Sequence, residues 1–120
     1  MNIPEKIRIA GADYPIIYKD HLNDGTTLAY GYINYNENNI YLSSTEIMND
    51  SKKCTVLLHE ILHGILHHYG TGVMLENEEL VVDTIAKGLY QVIEDNKDMF
   101  AKEVNHEHTG CNRTGVPQRV

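Results

Sequence analysis

The chain has 120 residues, of which 42% are hydrophobic, and a formal net charge of −7. That length supports one domain with one modest core, and the acidic balance lacks the clustered Lys and Arg of a nucleic-acid-binding surface. No apolar run approaches the roughly 20 residues of a membrane span. Because the first residues lack a signal-peptide core, and Cys54 and Cys111 lie in a helical pattern and a polar tail, we expect a cytoplasmic protein without a disulfide.

The first half of the chain has the patterns of short strands. Apolar and charged residues alternate over 3–10, and after a turn at Gly11 a second extended run covers 14–18. Pro15 within that run indicates an edge strand, because proline cannot donate to a ladder. Residues 28–35 alternate again, and a polar turn at 36–39 leads into 40–42. These last two runs predict a β-hairpin.

The second half predicts two long helices. Residues 49–51, Asn-Asp-Ser, offer N-cap oxygens for a helix that stops at Gly70. Asn77 is placed to cap another helix running to about residue 95. Its predicted apolar face consists of Val81, Val82, Ile85, Ala86, Leu89, Val92 and Ile93. Shorter helical turns are expected at 43–48 and 98–104.

This order of elements predicts the architecture. Strands followed by helices indicate an α+β fold in which a small antiparallel sheet packs against the two long helices. Residues 1–105 form a single predicted domain. Residues 106–120 are polar and without periodicity, so we expect a flexible C-terminal tail. His106, His108 and Cys111 in that tail have the spacing of no structural zinc pattern.

The first long helix contains His59-Glu60-Ile61-Leu62-His63, the H-E-x-x-H pattern of zinc-dependent hydrolases. A helix turns about 100° per residue, so positions four apart lie on one face. Both imidazoles therefore face the same point, with Glu60 beside them. The apolar residues of this helix form one arc, and the ionisable residues gather at its border. This arrangement favours a metal cleft over a solvated surface helix.

A catalytic zinc site takes three protein ligands and leaves one position open. His67 lies about 12 Å along the helix axis from His59, too far to complete the same site. Leu66 and Tyr69 stand where a metzincin site has glycine and histidine, which excludes that class.

The third ligand is therefore expected on the next helical segment, whose acidic residues are Glu76, Glu78, Glu79 and Asp83. Helical periodicity favours Glu79, which lies with Asp83 along the border of the apolar face, and leaves Glu78 as the alternative. Asp83 is placed to accept the free ring N–H of a ligand histidine. A carboxylate near a helix N-terminus is also favoured by the helix dipole alone, without any metal.

Two segments resemble a known family. His59-Glu60-x-x-His63, followed by Ile65-Leu66-His67-His68, resembles the metal-binding helix of the ImmA/IrrE-type small zinc metallopeptidases, especially stand-alone members from phages and mobile elements. Glu79-x-x-Val82-Asp83-x-Ile85-Ala86 resembles the family's E-x-x-A-N-x-F-A segment, from which Val82 and Asp83 depart. The resemblance covers about residues 28–95. It implies a gluzincin-like endopeptidase with its glutamate ligand at Glu79, acting on a repressor-type regulatory protein.

The sequence thus predicts a zinc metalloendopeptidase with His59, His63 and Glu79 as ligands and Glu60 as the catalytic base. The expected partner is a protein or peptide substrate, with no nucleic acid and no membrane; the oligomeric state is not predicted. Candidates to stabilise the oxyanion are His67, Tyr30, Tyr32 and Tyr90. The last strand of the hairpin offers an edge on which an extended substrate could pair.

Two other functions compete with this prediction. The first is a metal-stabilised binding protein that acts by contact, as an antirepressor or inhibitor; Glu60 argues against it, because a structural site needs no base. The second is a DNA-dependent protease of the SprT type, which the acidic charge disfavours.

Overall fold

The computed structural model of the chain describes residues 2–20, 22, 30–44 and 48–101. The strands come first along the chain and the helices follow, which confirms the predicted α+β class. The elements are β1 (Lys6–Ile9), β2 (Ala12–Lys19), β3 (Gly31–Asn34), β4 (Asn39–Ser43), α1 (Asp50–Tyr69), α2 (Glu78–Asp95) and α3 (Lys97–Phe100). Among these helices, none combines the length and apolar character needed to cross a membrane. The predicted tail, 106–120, and residues 45–47 of the predicted turn at 43–48 lie outside the described residues.

The four strands form one mixed sheet in the order β1-β2-β4-β3. β1 pairs with β2, and β3 with β4, in antiparallel fashion, but β2 and β4 run parallel. The prediction of a purely antiparallel sheet is therefore wrong at its centre. Alternation in a strand sets which residues face the core and carries no information about the direction of the neighbouring strand. The hairpin was predicted correctly because its two strands share a short turn.

Pro15 does not mark an edge strand, because β2 lies inside the sheet between β1 and β4. The first half of β2 pairs with β1, and pairing with β4 begins only at Ile16, opposite Ile40. The Ile16 N–H donates to the Glu5 carbonyl (2.8 Å), so the backbone groups of Pro15 point away from β1. Proline is tolerated here because its missing N–H falls where no partner strand is present.

One helix, α1, covers the sheet. Leu57 of α1 packs with Ile9, Tyr14, Ile33 and Ile40 in the main core cluster. The helix begins as predicted, with the Asn49 side chain accepting a hydrogen bond from the Lys52 N–H (2.8 Å). The same helix ends at Gly70, whose N–H donates to the Leu66 carbonyl.

Gly64 explains how α1 approaches the sheet so closely. A Cβ at this position would lie 2.9 Å from Cδ1 of Ile9 and 3.1 Å from Cδ1 of Ile33. A glycine within a helix costs about 0.5–1 kcal/mol relative to alanine. Here it lets the turn that follows His63 sit directly on the core.

The helix α2 contacts α1 and α3 but, among the described elements, not the sheet. The prediction that both long helices pack on the sheet is therefore wrong. Only Val82 and Ala86 of its predicted apolar face are fully buried, whereas Ile85 and Val92 are 48% and 40% exposed. Among the described elements α1 is the helix that packs on the four strands, so α2 is buried mainly where it contacts α1.

Candidate metal centre

The side chains of His59, His63 and Glu79 converge at the junction of α1 and α2. One turn of α1 separates the histidines, and the first turn of α2 brings Glu79 opposite both rings. Glu79 Oε1 lies 3.0 Å from Nε2 of His59, and Glu79 Oε2 lies 2.8 Å from Nε2 of His63. The two Nε2 atoms are 3.2 Å apart. The three side chains therefore converge as the sequence predicted. Metal binding by them stays a prediction.

These separations fit the ligand set of one small divalent ion. A tetrahedral zinc ion with bonds of about 2.0–2.1 Å holds its ligand atoms about 3.3 Å apart. The three candidate ligand atoms lie within 4.8 Å of one another.

The outer nitrogens of the two rings face carboxylates of α2. Nδ1 of His63 lies 2.7 Å from Oε2 of Glu78. Nδ1 of His59 lies 3.6 Å from Oδ1 of Asp83, which is longer than a hydrogen bond. Asp83 is itself held by Lys87 at 2.8 Å, and this hydrogen bond lowers the pKa of its carboxyl.

This arrangement assigns a use to each ring nitrogen. If Nδ1–H of His63 donates to Glu78, its Nε2 presents a lone pair. With the matching tautomer at His59, two lone pairs and the Glu79 carboxylate converge as acceptors with no donor among them. A cation satisfies such a set. Glu78, the alternative ligand, contacts the outer nitrogen of His63 and not the point where the Nε2 atoms meet.

Glu60 is buried at the inner wall of the site, with 8% of its surface exposed. Burial raises the pKa of its carboxyl, whereas the neighbouring His59 and His63, and a hydrogen bond from the Ile33 N–H, act in the opposite direction. A carboxylate with a raised pKa takes up a proton more readily, which suits a general base.

An open cleft of about 850 Å³ lies over this group, between β3, α1 and α2. It is lined by Tyr30 and Tyr32, two of the residues proposed to stabilise an oxyanion, and by Lys52, whose ammonium lies 4.6 Å from the centre of the Tyr30 ring. Tyr90 is not among the residues lining the cleft. His67 stacks on Tyr35 at 3.8 Å and lines a separate, smaller cavity.

Several residues around the centre were given no role in the prediction from the sequence. The Tyr14 hydroxyl lies 2.6 Å from Nε2 of His68 and anchors the end of α1 to β2. Burial, with the nearby Glu60 and Glu78, raises the pKa of Tyr35 to about 12. Gly31 packs against Glu60, and a glycine in an alternating strand is the sequence signal for such a close approach. No comparable signal marked the tyrosines.

In the described part of the chain, His59, His63 and Glu79 are the one group of three or more His, Cys, Asp or Glu side chains placed to share an ion. The tail residues His106, His108 and Cys111 lie outside it. Comparison with protein-family models, with curated proteins and with solved structures found no match to this chain.

Proposed function

We propose that this protein is a zinc-dependent endopeptidase that hydrolyses peptide bonds in a protein substrate. The observation that carries the proposal is the convergence of two imidazoles and a carboxylate beside a buried glutamate, at the floor of an open cleft. A purely structural zinc site closes all four positions with protein ligands. Three ligands with a buried carboxylate beside them favour a catalytic site.

Each residue has a role in this proposal. His59, His63 and Glu79 would hold the ion, which would supply Lewis acidity and lower the pKa of a water molecule to about 7. Glu60 accepts the proton from the attacking water and delivers it to the leaving amine. Glu78 orients the imidazole of His63 from outside, whereas Asp83, 3.6 Å from Nδ1 of His59, would have to move closer to do the same for His59. Tyr30 and Tyr32, which line the cleft, remain candidates for donating a hydrogen bond to the oxyanion.

The substrate is proposed to bind as an extended strand along β3. The earlier expectation that the last strand of the hairpin offers this edge is wrong, because β4 is paired on both sides. β3 is an edge strand, and of the two edge strands it is the one that borders the cleft, through Tyr30, Gly31 and Tyr32. A peptide that pairs with an exposed edge gains backbone hydrogen bonds without a demand on its sequence. A repressor-type substrate, as in the ImmA/IrrE-type family, is proposed from the resemblance alone.

The competing proposal is a metal-stabilised binding protein. It is supported by the small number of buried residues in α2, because an ion shared with α1 would then stabilise the packing of the two helices. The Glu60→Gln variant separates the two proposals. It removes the base but keeps the shape of the side chain, so we expect unchanged zinc content and a rate of peptide cleavage reduced by about 10²–10⁴-fold. Metal analysis and cleavage of a random peptide library, monitored by mass spectrometry, measure both.

Three outcomes are informative. A zinc-loaded wild-type chain that cleaves no library peptide contradicts the peptidase proposal. Cleavage that persists at the wild-type rate in Glu60→Gln contradicts the role given to Glu60. Loss of cleavage together with loss of zinc would place Glu60 among the ligands, which also contradicts its assignment as the base.

A further inference from the structure

Gly31 lies where any larger residue would collide with the inner wall of the centre. A Cβ at this position would lie 2.6 Å from Cγ1 of Val56 and 3.3 Å from both Cγ and Oε2 of Glu60. The first contact requires the Val56 side chain to move, and the other two require the Glu60 side chain to shift by a few tenths of an ångström. Because Gly31 has no Cβ, the Glu60 side chain can occupy this space.

Two residues along β3 from Gly31, the backbone N–H of Ile33 donates a hydrogen bond to the carboxylate of Glu60. The Ser43 N–H donates to the Tyr30 carbonyl at 2.9 Å, and the register pairs Ile33 with Ile40. Since backbone groups alternate along a strand, those of residues 30, 32 and 34 point to β4, whereas those of Gly31 and Ile33 point to the open edge. The Ile33 N–H uses this free direction to donate to Glu60.

We propose that Gly31 and the backbone N–H of Ile33 are the positioning elements of the catalytic base. Gly31 makes room for the Glu60 side chain against β3, and the Ile33 N–H fixes the direction of its carboxylate. The catalytic role of Glu60 rests on the proposed function, whereas its contacts with Gly31 and Ile33 are independent of metal and substrate. It assigns to the edge strand β3 a part in catalysis besides binding the substrate.

The hydrogen bond is tested in the chelator-treated full chain by amide hydrogen exchange at Ile33, followed by NMR. None of the described strands pairs with this edge of β3, so we expect the protection of the Ile33 amide to depend on Glu60. We expect Glu60→Ala to speed exchange at Ile33 by about ten- to a hundredfold, as loss of a hydrogen bond to a charged group implies. Glu60→Gln keeps an acceptor oxygen and is expected to stay much closer to wild type. Equal exchange at Ile33 in wild type and Glu60→Ala overturns the proposal.

The role of Gly31 is tested in a Val56→Ala background, which removes the most severe collision and leaves the contact with Glu60. In this background Gly31→Ala should speed exchange at Ile33 nearly as much as Glu60→Ala does. Gly88→Ala is the matched control, since a Cβ on that glycine of α2 would meet nothing within 4 Å. This control should leave Ile33 unchanged. Wild-type exchange at Ile33 in Val56→Ala/Gly31→Ala overturns the role of Gly31.

Turnover supplies the second reading. In the zinc-loaded chain, Gly31→Ala in the Val56→Ala background should lower kcat by at least about tenfold, while zinc content and KM stay close to those of Val56→Ala alone. An unchanged kcat overturns the positioning role even if exchange at Ile33 rises. If exchange behaves as expected and even the wild-type chain has no peptidase activity, the contact stands and the proposed function fails.

Discussion

At the scale of single residues, two adjacent glutamates of α2 contact different nitrogens of the histidine rings. Glu79 faces the point between the two histidines, and Glu78, about 100° around the helix, contacts the outer nitrogen of His63. Helical periodicity favoured Glu79 from the sequence and left Glu78 as the alternative, and the structure places Glu79 nearer the point between the rings. Periodicity could not assign Glu78, because that contact depends on the distance and angle at which α2 crosses α1.

We expect Glu78→Ala to weaken zinc binding by about 10–100-fold, because His63 loses the acceptor that fixes its tautomer and ring orientation. Glu78→Gln should lose less, since its amide oxygen still accepts from Nδ1–H. Competition with a chromophoric chelator measures both. Glu76→Ala is the control, an exposed carboxylate close by on the same segment. Equal zinc affinity in Glu78→Ala and Glu76→Ala would show that Glu78 does not position the ring.

At the scale of elements, local signals were predictable and distant pairings were not. Asn49 and Gly70 mark the ends of α1, and the turn at 36–39 marks the hairpin, because these signals act within a few residues. The parallel pairing of β2 with β4 depends on a crossover that no local pattern encodes. The apolar face assigned to α2 was too wide, because burial depends on which neighbours reach the helix.

The small number of buried residues in α2 leads to a prediction about metal removal. Only Val82 and Ala86 of α2 are fully buried, while its first turn carries the carboxylates that face the histidines. An ion shared by α1 and α2 should therefore hold α2 in place. Removing zinc with a chelator should speed amide exchange in residues 78–95 more than in residues 50–69, as hydrogen–deuterium exchange mass spectrometry can measure.

The converse experiment completes this test. Zinc added at 100 times its dissociation constant should stabilise the fold by about 2.7 kcal/mol if the ion binds only the folded state. It should also restore slow exchange in α2. Equal exchange across α1 and α2 with and without zinc would mean that apolar packing alone holds α2.

At the scale of the whole molecule, the layers place the centre at an edge. The sheet lies under α1, and among the described elements α2 contacts α1 and α3 but not the sheet, so that the cleft opens between the edge strand β3 and α2. The side chains of His59 and His63 are 18% and 13% exposed, whereas that of Glu79 is 78% exposed. The centre is therefore packed on its α1 side and open on its α2 side, as access for a large substrate requires.

Above all, we expect one divalent ion to be bound by two imidazoles of α1 and one carboxylate of α2. Zinc K-edge X-ray absorption of the chain loaded with one equivalent of zinc measures this ligand set. We expect scattering from two imidazoles with Zn–N distances of about 2.0–2.1 Å, completed by oxygen ligands. In Glu79→Ala the imidazole scattering should remain while the affinity for zinc falls. A chain that binds no zinc, or a spectrum with sulfur or without two imidazoles, would overturn this assignment.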